Sequence, residues 1–341
     1  MTHTETLRIR FLVAMAAVAA VSGLAVPPAV AAEKGVPVRA ADGSERGRIS
    51  GPVLGYVPSG RGRLQAVLGV PGAALYGPEW AVGSEQATVY AAPDQKSAVA
   101  VHPDAMVVSL PGERSYRLAI PGISPEDKAA YSPSGTRFAI FSSARGVVVI
   151  LGDLLTGPTV VREIQAGGAE NPKGLAIGDP GPGEAPVVAW SDSGAVRIWN
   201  SNGAGFLPLH NISTFVFSAG TSEAVAADEK TVWLVRNLAG AATLEDTGLP
   251  AAAARFGLGL SQDRQRLFAA GSEGIVTLDM ATRQTRTTMC DCPVDRLERL
   301  SGNAVFRLNA PGKGPLYILD GDQTEARVLF VPAAAPALDR S

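Results

Sequence analysis

Cysteine and histidine are nearly missing: 341 residues hold two cysteines and three histidines. A fold stapled by several disulfides is therefore excluded, and so is a zinc site built from Cys/His clusters. His3 lies at the extreme N-terminus, which leaves His102 and His210 for the rest of the chain. Lysine is confined to Lys34, Lys96, Lys128, Lys173, Lys230 and Lys313. A one-signed charge is lacking too, with 30 basic against 32 acidic residues and a net charge of −2. No bulk field exists to draw in nucleic acid or an acidic membrane surface. Helical periodicity is also absent after the N-terminal region, and no later apolar run approaches the roughly 20 residues of a membrane span.

The N-terminal region has its own pattern. Arg8 and Arg10 precede the apolar run Phe11–Val21, which Gly23, Pro27 and Pro28 interrupt before the small-residue stretch Ala29–Ala32. This reads as a secretory signal peptide over 1–32, cleaved near Ala31 or Ala32. No cysteine is present there for lipid attachment. The expectation is an exported protein, periplasmic or secreted, with no stable membrane insertion after signal removal. A flexible segment is expected over 33–50, one domain over 51–333, and a flexible tail over 334–341.

The domain is repetitive. Tyr131-Ser-Pro-Ser-Gly-Thr-Arg-Phe-Ala-Ile140, followed by Gly146–Ile150 and Asp153, is matched by Leu260–Ala269 and Gly274–Asp279. Six apolar strands recur: Met106–Leu110, Val147–Ile150, Ala195–Trp199, Thr231–Val235, Ile275–Leu278 and Leu316–Leu319. Each follows another: Ala98–Val101, Phe138–Phe141, Val187–Trp190, Ala224–Ala227, Leu267–Ala269 and Ala304–Leu308. A period of roughly 40 residues with Gly, Pro, Asn and Asp between β-branched runs marks repeated antiparallel sheets. The fold class is all-β, a β-propeller of four-stranded antiparallel blades. Seven blades are expected, with six as the alternative. The hairpin Val53–Val70 would help close the ring by pairing with C-terminal strands such as Arg327–Val331. A β-sandwich accounts less well for successive four-strand units.

The Ser-Pro-Ser-Gly turn before Arg137–Ile140, together with Val196-Arg-Ile-Trp-Asn200, resembles the repeats of WD40-like and related bacterial periplasmic propellers over roughly 76–332. The usual Gly-His and Trp-Asp pairs are absent, Trp199-Asn200 being the nearest approach. The resemblance implies a platform for binding other proteins; a minority of such propellers are enzymes or cofactor binders.

For chemistry, Cys290-Asp-Cys292-Pro293 is the one local motif. Its readings are a short-loop disulfide with little entropic gain, a redox or Cu(I)-binding pair, or two thiols with no special role. His102 and His210 stand apart from any serine elbow, and Gly257-Leu-Gly259 lacks the strand-to-helix context of a phosphate loop. Carboxylates including Glu126, Asp127, Asp153, Asp179, Glu184, Asp192, Asp228, Asp263, Asp279, Asp291, Asp295, Asp320 and Asp322 fall near turns. They either cap the turns or converge as a metal site. Trp190, Trp199 and Trp233 read as core, and Trp80 as exposed.

No catalytic, cofactor-binding or metal residue is assigned, and no cofactor is expected. The functional expectation is a binding or protein-interaction scaffold in the bacterial envelope, partnered with another envelope or secreted protein, without nucleic acid. A propeller enzyme of the lactonase or cofactor-dependent dehydrogenase kind, with loop carboxylates, is the alternative. A redox or copper-handling protein using Cys290 and Cys292 is the third reading.

Overall fold

Strands with apolar residues at every position can exist only where both sheet faces are covered. Phe138–Ser142, Val147–Gly152, Val187–Trp190 and Ala224–Ala227 are each buried throughout. The computed structural model shows how: residues 36–39, 51–112, 114–166, 172–181, 185–191, 194–312 and 314–333 are described, and their antiparallel sheets stand side by side in a seven-bladed β-propeller. The expected signal peptide and C-terminal tail lie outside the described residues, as do Glu184 and Asp192.

Strand β1 (Val36–Arg39) comes first. Blade one holds β2 (Val53–Gly60), β3 (Arg63–Val70) and β4 (Ala73–Ala81); blade two holds β5 (Thr88–Ala91), β6 (Ala98–His102), β7 (Ala105–Ser109) and β8 (Arg114–Ala119). Blade three runs through β9 (Ala129–Tyr131), β10 (Phe138–Ser142), β11 (Val147–Gly152) and β12 (Thr159–Gln165). Blade four has β13 (Gly174–Ile177), β14 (Val187–Trp190), β15 (Ala195–Asn200) and β16 (Gly203–His210). Blade five has β17 (Thr214–Phe217), β18 (Ala224–Ala227), β19 (Thr231–Arg236) and β20 (Thr243–Pro250). After a 3-10 turn at Ala251–Ala254, blade six has β21 (Gly257–Leu260), β22 (Arg266–Gly271), β23 (Gly274–Asp279) and β24 (Thr285–Thr288). Blade seven has β25 (Glu298–Arg299), β26 (Val305–Arg307), β27 (Leu316–Asp320) and β28 (Arg327–Val331).

Two blades depart from the four-stranded expectation. Blade one has three strands, and blade two gains a fifth because β1 pairs antiparallel with β8. The stretch 33–50, expected to be flexible, thus contributes an edge strand. An edge is where Pro37 is tolerated, since proline cannot donate to a second neighbour.

The period-2 alternation of each middle strand divides it between two neighbours. In β10, Phe138 and Ile140 pack towards Val99, Met106 and Val108 of blade two, whereas Ala139 and Phe141 pack towards Ile177 and Val187 of blade four. The same division produces one apolar cluster at every junction, including the one between blades seven and one. There Leu54, Val57 and Val67 meet Leu300, Val305, Leu316, Ile318 and Val331. Burying each such side chain contributes on the order of 1.5–3 kcal/mol, so the junctions carry most of the cohesion.

Ring closure differs from the expected strand exchange. Arg327–Val331 pairs with β27 inside its own blade and does not pair with the Val53–Val70 hairpin. The seam is instead packed face to face and tied by Ser301, whose backbone N–H and Oγ donate to the Leu54 carbonyl at 2.8 and 2.7 Å. Local pairing wins because β28 finds its complete register with β27, Leu316 opposite Val331 and Asp320 opposite Arg327.

One charge sits within this seam. Arg307, 2% exposed, donates to Glu298, and the Tyr76 hydroxyl lies within its electrostatic reach. Its Nε and Nη1 and the Tyr76 hydroxyl have no hydrogen-bond partner among the described residues.

The turns between first and second strands link neighbouring blades. Asp179 accepts the Ser134 N–H at 3.0 Å from blade three and the Gly220 N–H at 2.8 Å from blade five, and the Ser134 hydroxyl as well. In blade three that turn requires Gly135, whose φ is +73° and whose added Cβ would lie 2.8 Å from Asp94 Oδ1. Asn303 joins blade seven to Asp263 of blade six through reciprocal bonds of 2.9 Å. Asp179→Ala would leave two backbone donors without their acceptor at once; the expected loss of unfolding free energy is about 2–4 kcal/mol, read from the urea midpoint.

Candidate functional site

The turns that link the blades also form an open cleft between blades five and six, with a cavity volume of about 230 Å³. Its walls come from strand ends on one face of the ring. Ser218 and Glu223 bracket the β17–β18 turn, and Arg236 ends β19. Across from them, Asp263, Arg264 and Gln265 form the β21–β22 turn, and Arg283 lies in the β23–β24 turn. Leu234, Leu260 and Met280 supply apolar wall.

Most charges here are already engaged. Arg236 donates to Glu223 at 2.8 Å and to Glu245 at 2.9 Å, and Arg283 joins Glu245 from the other blade. Hydrogen bonding from Arg236 holds the Glu245 carboxyl below the usual carboxylate range. Asp263 accepts the Ser261 hydroxyl at 2.6 Å, the Gln265 N–H at 3.0 Å and Asn303 Nδ2 at 2.9 Å. Burial alone would raise its pKa, but these bonds and the nearby Arg266 leave it lowered. Behind that turn Arg299 donates to the carbonyls of Leu260 and Asn303, and burial pushes its pKa down to about 10. Arg299 therefore remains charged at neutral pH, facing Asp263 and Asp322.

Two polar groups of the cleft are not engaged. Ser218 is 3% exposed, and its Oγ has no hydrogen-bond partner among the described residues. Arg264, exposed at the tip of its turn with φ +62°, has no ion pair or side-chain hydrogen bond among the described residues. Asp263 was legible in the sequence as a turn carboxylate, whereas Ser218 and Arg264 were not. No local signal was available, because the cleft joins turns from two repeats.

The residues singled out from sequence are mostly dispersed. Cys290 and Cys292 are joined as a disulfide in the β24–β25 connection, beside Met289, which is 74% exposed. His102 ends β6, with Nδ1 3.3 Å from Ser84 Oγ, and His210 ends β16, exposed. The Ser84–His102 pair has no carboxylate hydrogen-bonded to the imidazole among the described residues, so the third member of a hydrolytic triad is missing. Several of the carboxylates serve turns: Asp127 accepts Ser124 N–H and Ser143, Asp228 accepts Lys230 N–H, Thr231 N–H and Trp233 Nε1, and Asp279 accepts Ala281 and Thr282 N–H. Among the described residues no three His, Cys, Asp or Glu side chains cluster as a metal site. Trp190 and Trp199 are core; Trp233 is partly buried; Trp80, expected to be exposed, is half-buried edge-on against Tyr56 at 5.0 Å.

Burial first, and the Arg117 charge second, hold the His102 imidazole below its ordinary pKa of 6.5. The folded state then disfavours the imidazolium, so stability falls as pH drops through the unfolded pKa. In Arg117→Gln the His102 titration midpoint, followed by NMR, should move upward while staying below the ordinary value.

Comparisons with known proteins support the fold. No family profile matches the chain, and no curated protein matches it in sequence. Among solved structures, a protein of unknown function from Desulfotomaculum acetoxidans superposes with a TM-score of 0.56 at 11% identity, covering 82% of this chain and 99% of that one. AztD from Citrobacter koseri gives 0.53 at 11% identity, covering 82% of each chain. A streptogramin B lyase gives 0.52 at 11% identity, covering 80% of this chain and 88% of that one. At such identities the likeness shows the propeller alone, and the finer WD40-like resemblance has no matching profile behind it.

Proposed function

We propose that this protein is an exported binding propeller of the bacterial envelope, which recognises another envelope or secreted protein with the face that carries the blade five–six cleft. The observation that carries this reading is the cleft itself: an opening of about 230 Å³ with a buried free hydroxyl and an exposed free guanidinium. Its volume is below the roughly 300–1,000 Å³ of pockets that enclose a cofactor or drug-sized ligand, and suits one or two anchoring side chains of a partner. Several of the carboxylates that an enzyme would draw upon are held by backbone donors, Asp279 by those of its own turn and Asp179 by those of turns in the two neighbouring blades. Export rests on Arg8, Arg10, Phe11–Val21 and the Ala29–Ala32 stretch. Among the described residues no helix is long and apolar enough to cross a membrane.

Two measurements test this reading. N-terminal sequencing of protein recovered from the envelope or medium should begin at residue 32 or 33, and an intact Met1 with cytoplasmic retention would refute export. Crosslinking in intact cells should capture a reproducible partner, lost with Gln265→Trp on the cleft face and kept with Glu229→Ala or Glu273→Ala at the opposite strand ends. Capture indifferent to the face altered, or no capture, would defeat the docking assignment.

A further inference from the structure

We propose that the blade five–six cleft is a carboxylate-binding subsite, in which the Arg264 guanidinium supplies the charge and the Ser218 hydroxyl a second donor. Arg236 and Arg283 are matched by Glu223 and Glu245 in one connected network. Asp263 is matched by the buried Arg299 behind it and held by three hydrogen bonds. Once these groups are paired, the charge left facing the opening is the positive one on Arg264.

The second observation is independent of that balance. Ser218 is almost wholly buried, yet its Oγ lacks any partner among the described residues, which a structural serine in a closed core would rarely leave so. A hydroxyl can donate to a carboxylate oxygen, and a guanidinium can engage the same group with two parallel N–H bonds. Leu234, Leu260 and Met280 give the stem of such a ligand apolar wall to lie against. The ligand class is therefore a short aliphatic carboxylate, carried either by a small free acid or by an acidic side chain of a peptide segment. This deepens the binding function above, resting on it only for the peptide as source.

The test uses the full mature protein and two probes: succinate, and a labelled hexapeptide of alternating aspartate and glycine with its asparagine counterpart as control. Arg264→Asn removes the charge while keeping a residue that tolerates positive φ, Arg264→Lys restores charge, and Ser218→Ala removes the hydroxyl. Melting temperatures of the variants verify folding. Binding of the aspartate peptide or succinate should weaken about tenfold or more in Arg264→Asn, recover most of the way in Arg264→Lys, and weaken about threefold in Ser218→Ala. Peptide binding without succinate binding assigns the carboxylate to a partner; succinate binding assigns it to a free acid. Equal affinity for the aspartate and asparagine peptides overturns the proposal, as does binding unaffected by Arg264→Asn, or no binding of either acid. If cellular capture still depends on Gln265 in that case, the subsite fails while the binding function stands.

Discussion

Burial of each middle strand on both faces is the constraint from which the remaining architecture follows. A blade is too thin to have a core of its own, so Phe138 and Ile140 need blade two while Ala139 and Phe141 need blade four. Every blade is thus incomplete without both neighbours, and only a closed circle satisfies all of them. The apolar seam of Leu54, Val57, Leu300 and Ile318 is the closing instance of this rule.

That constraint also explains what could be read in the chain. Strands covered on both sides carry continuous apolar runs, so Val147–Gly152 and Ala224–Ala227 were legible by composition alone. Outer strands such as Gly203–His210 and Thr285–Thr288 meet solvent and are mostly exposed, so their residues carry little pattern. The three-strand blade one and the fifth strand on blade two were illegible, because β1 pairs across blades through backbone groups that any sequence offers. The cleft was hidden for a different reason. Ser218 and Arg264 come from different repeats, and although Arg264 lies in the turn of the Leu260–Ala269 copy, nothing in the repeat pattern marks either residue as part of a site.

The turn acids show how one residue type serves two roles that sequence cannot separate. An aspartate in a turn has acceptor capacity beyond its own loop, and Asp179 uses it to reach Ser134 on one side and Gly220 on the other. Asn200 works comparably at another set of turns, donating to the Leu238 carbonyl at 2.8 Å and so binding blade four to blade five. These groups fix the spacing of the turns, and with it the width of any opening between blades. The cleft is open where Arg236, Glu245 and Arg283 bridge the two blades through long side chains rather than through a short aspartate.

Because β28 completes its sheet with β27 and none of the described strands is shared across the blade seven–one seam, each described sheet of the ring other than the β1 addition is made from one continuous stretch of chain. The circle consequently has no privileged starting point. A circularly permuted chain, opened in any connection between blades and joined elsewhere, would retain all the ladders of blades three to seven. In this propeller, order along the chain and order around the ring are separable properties.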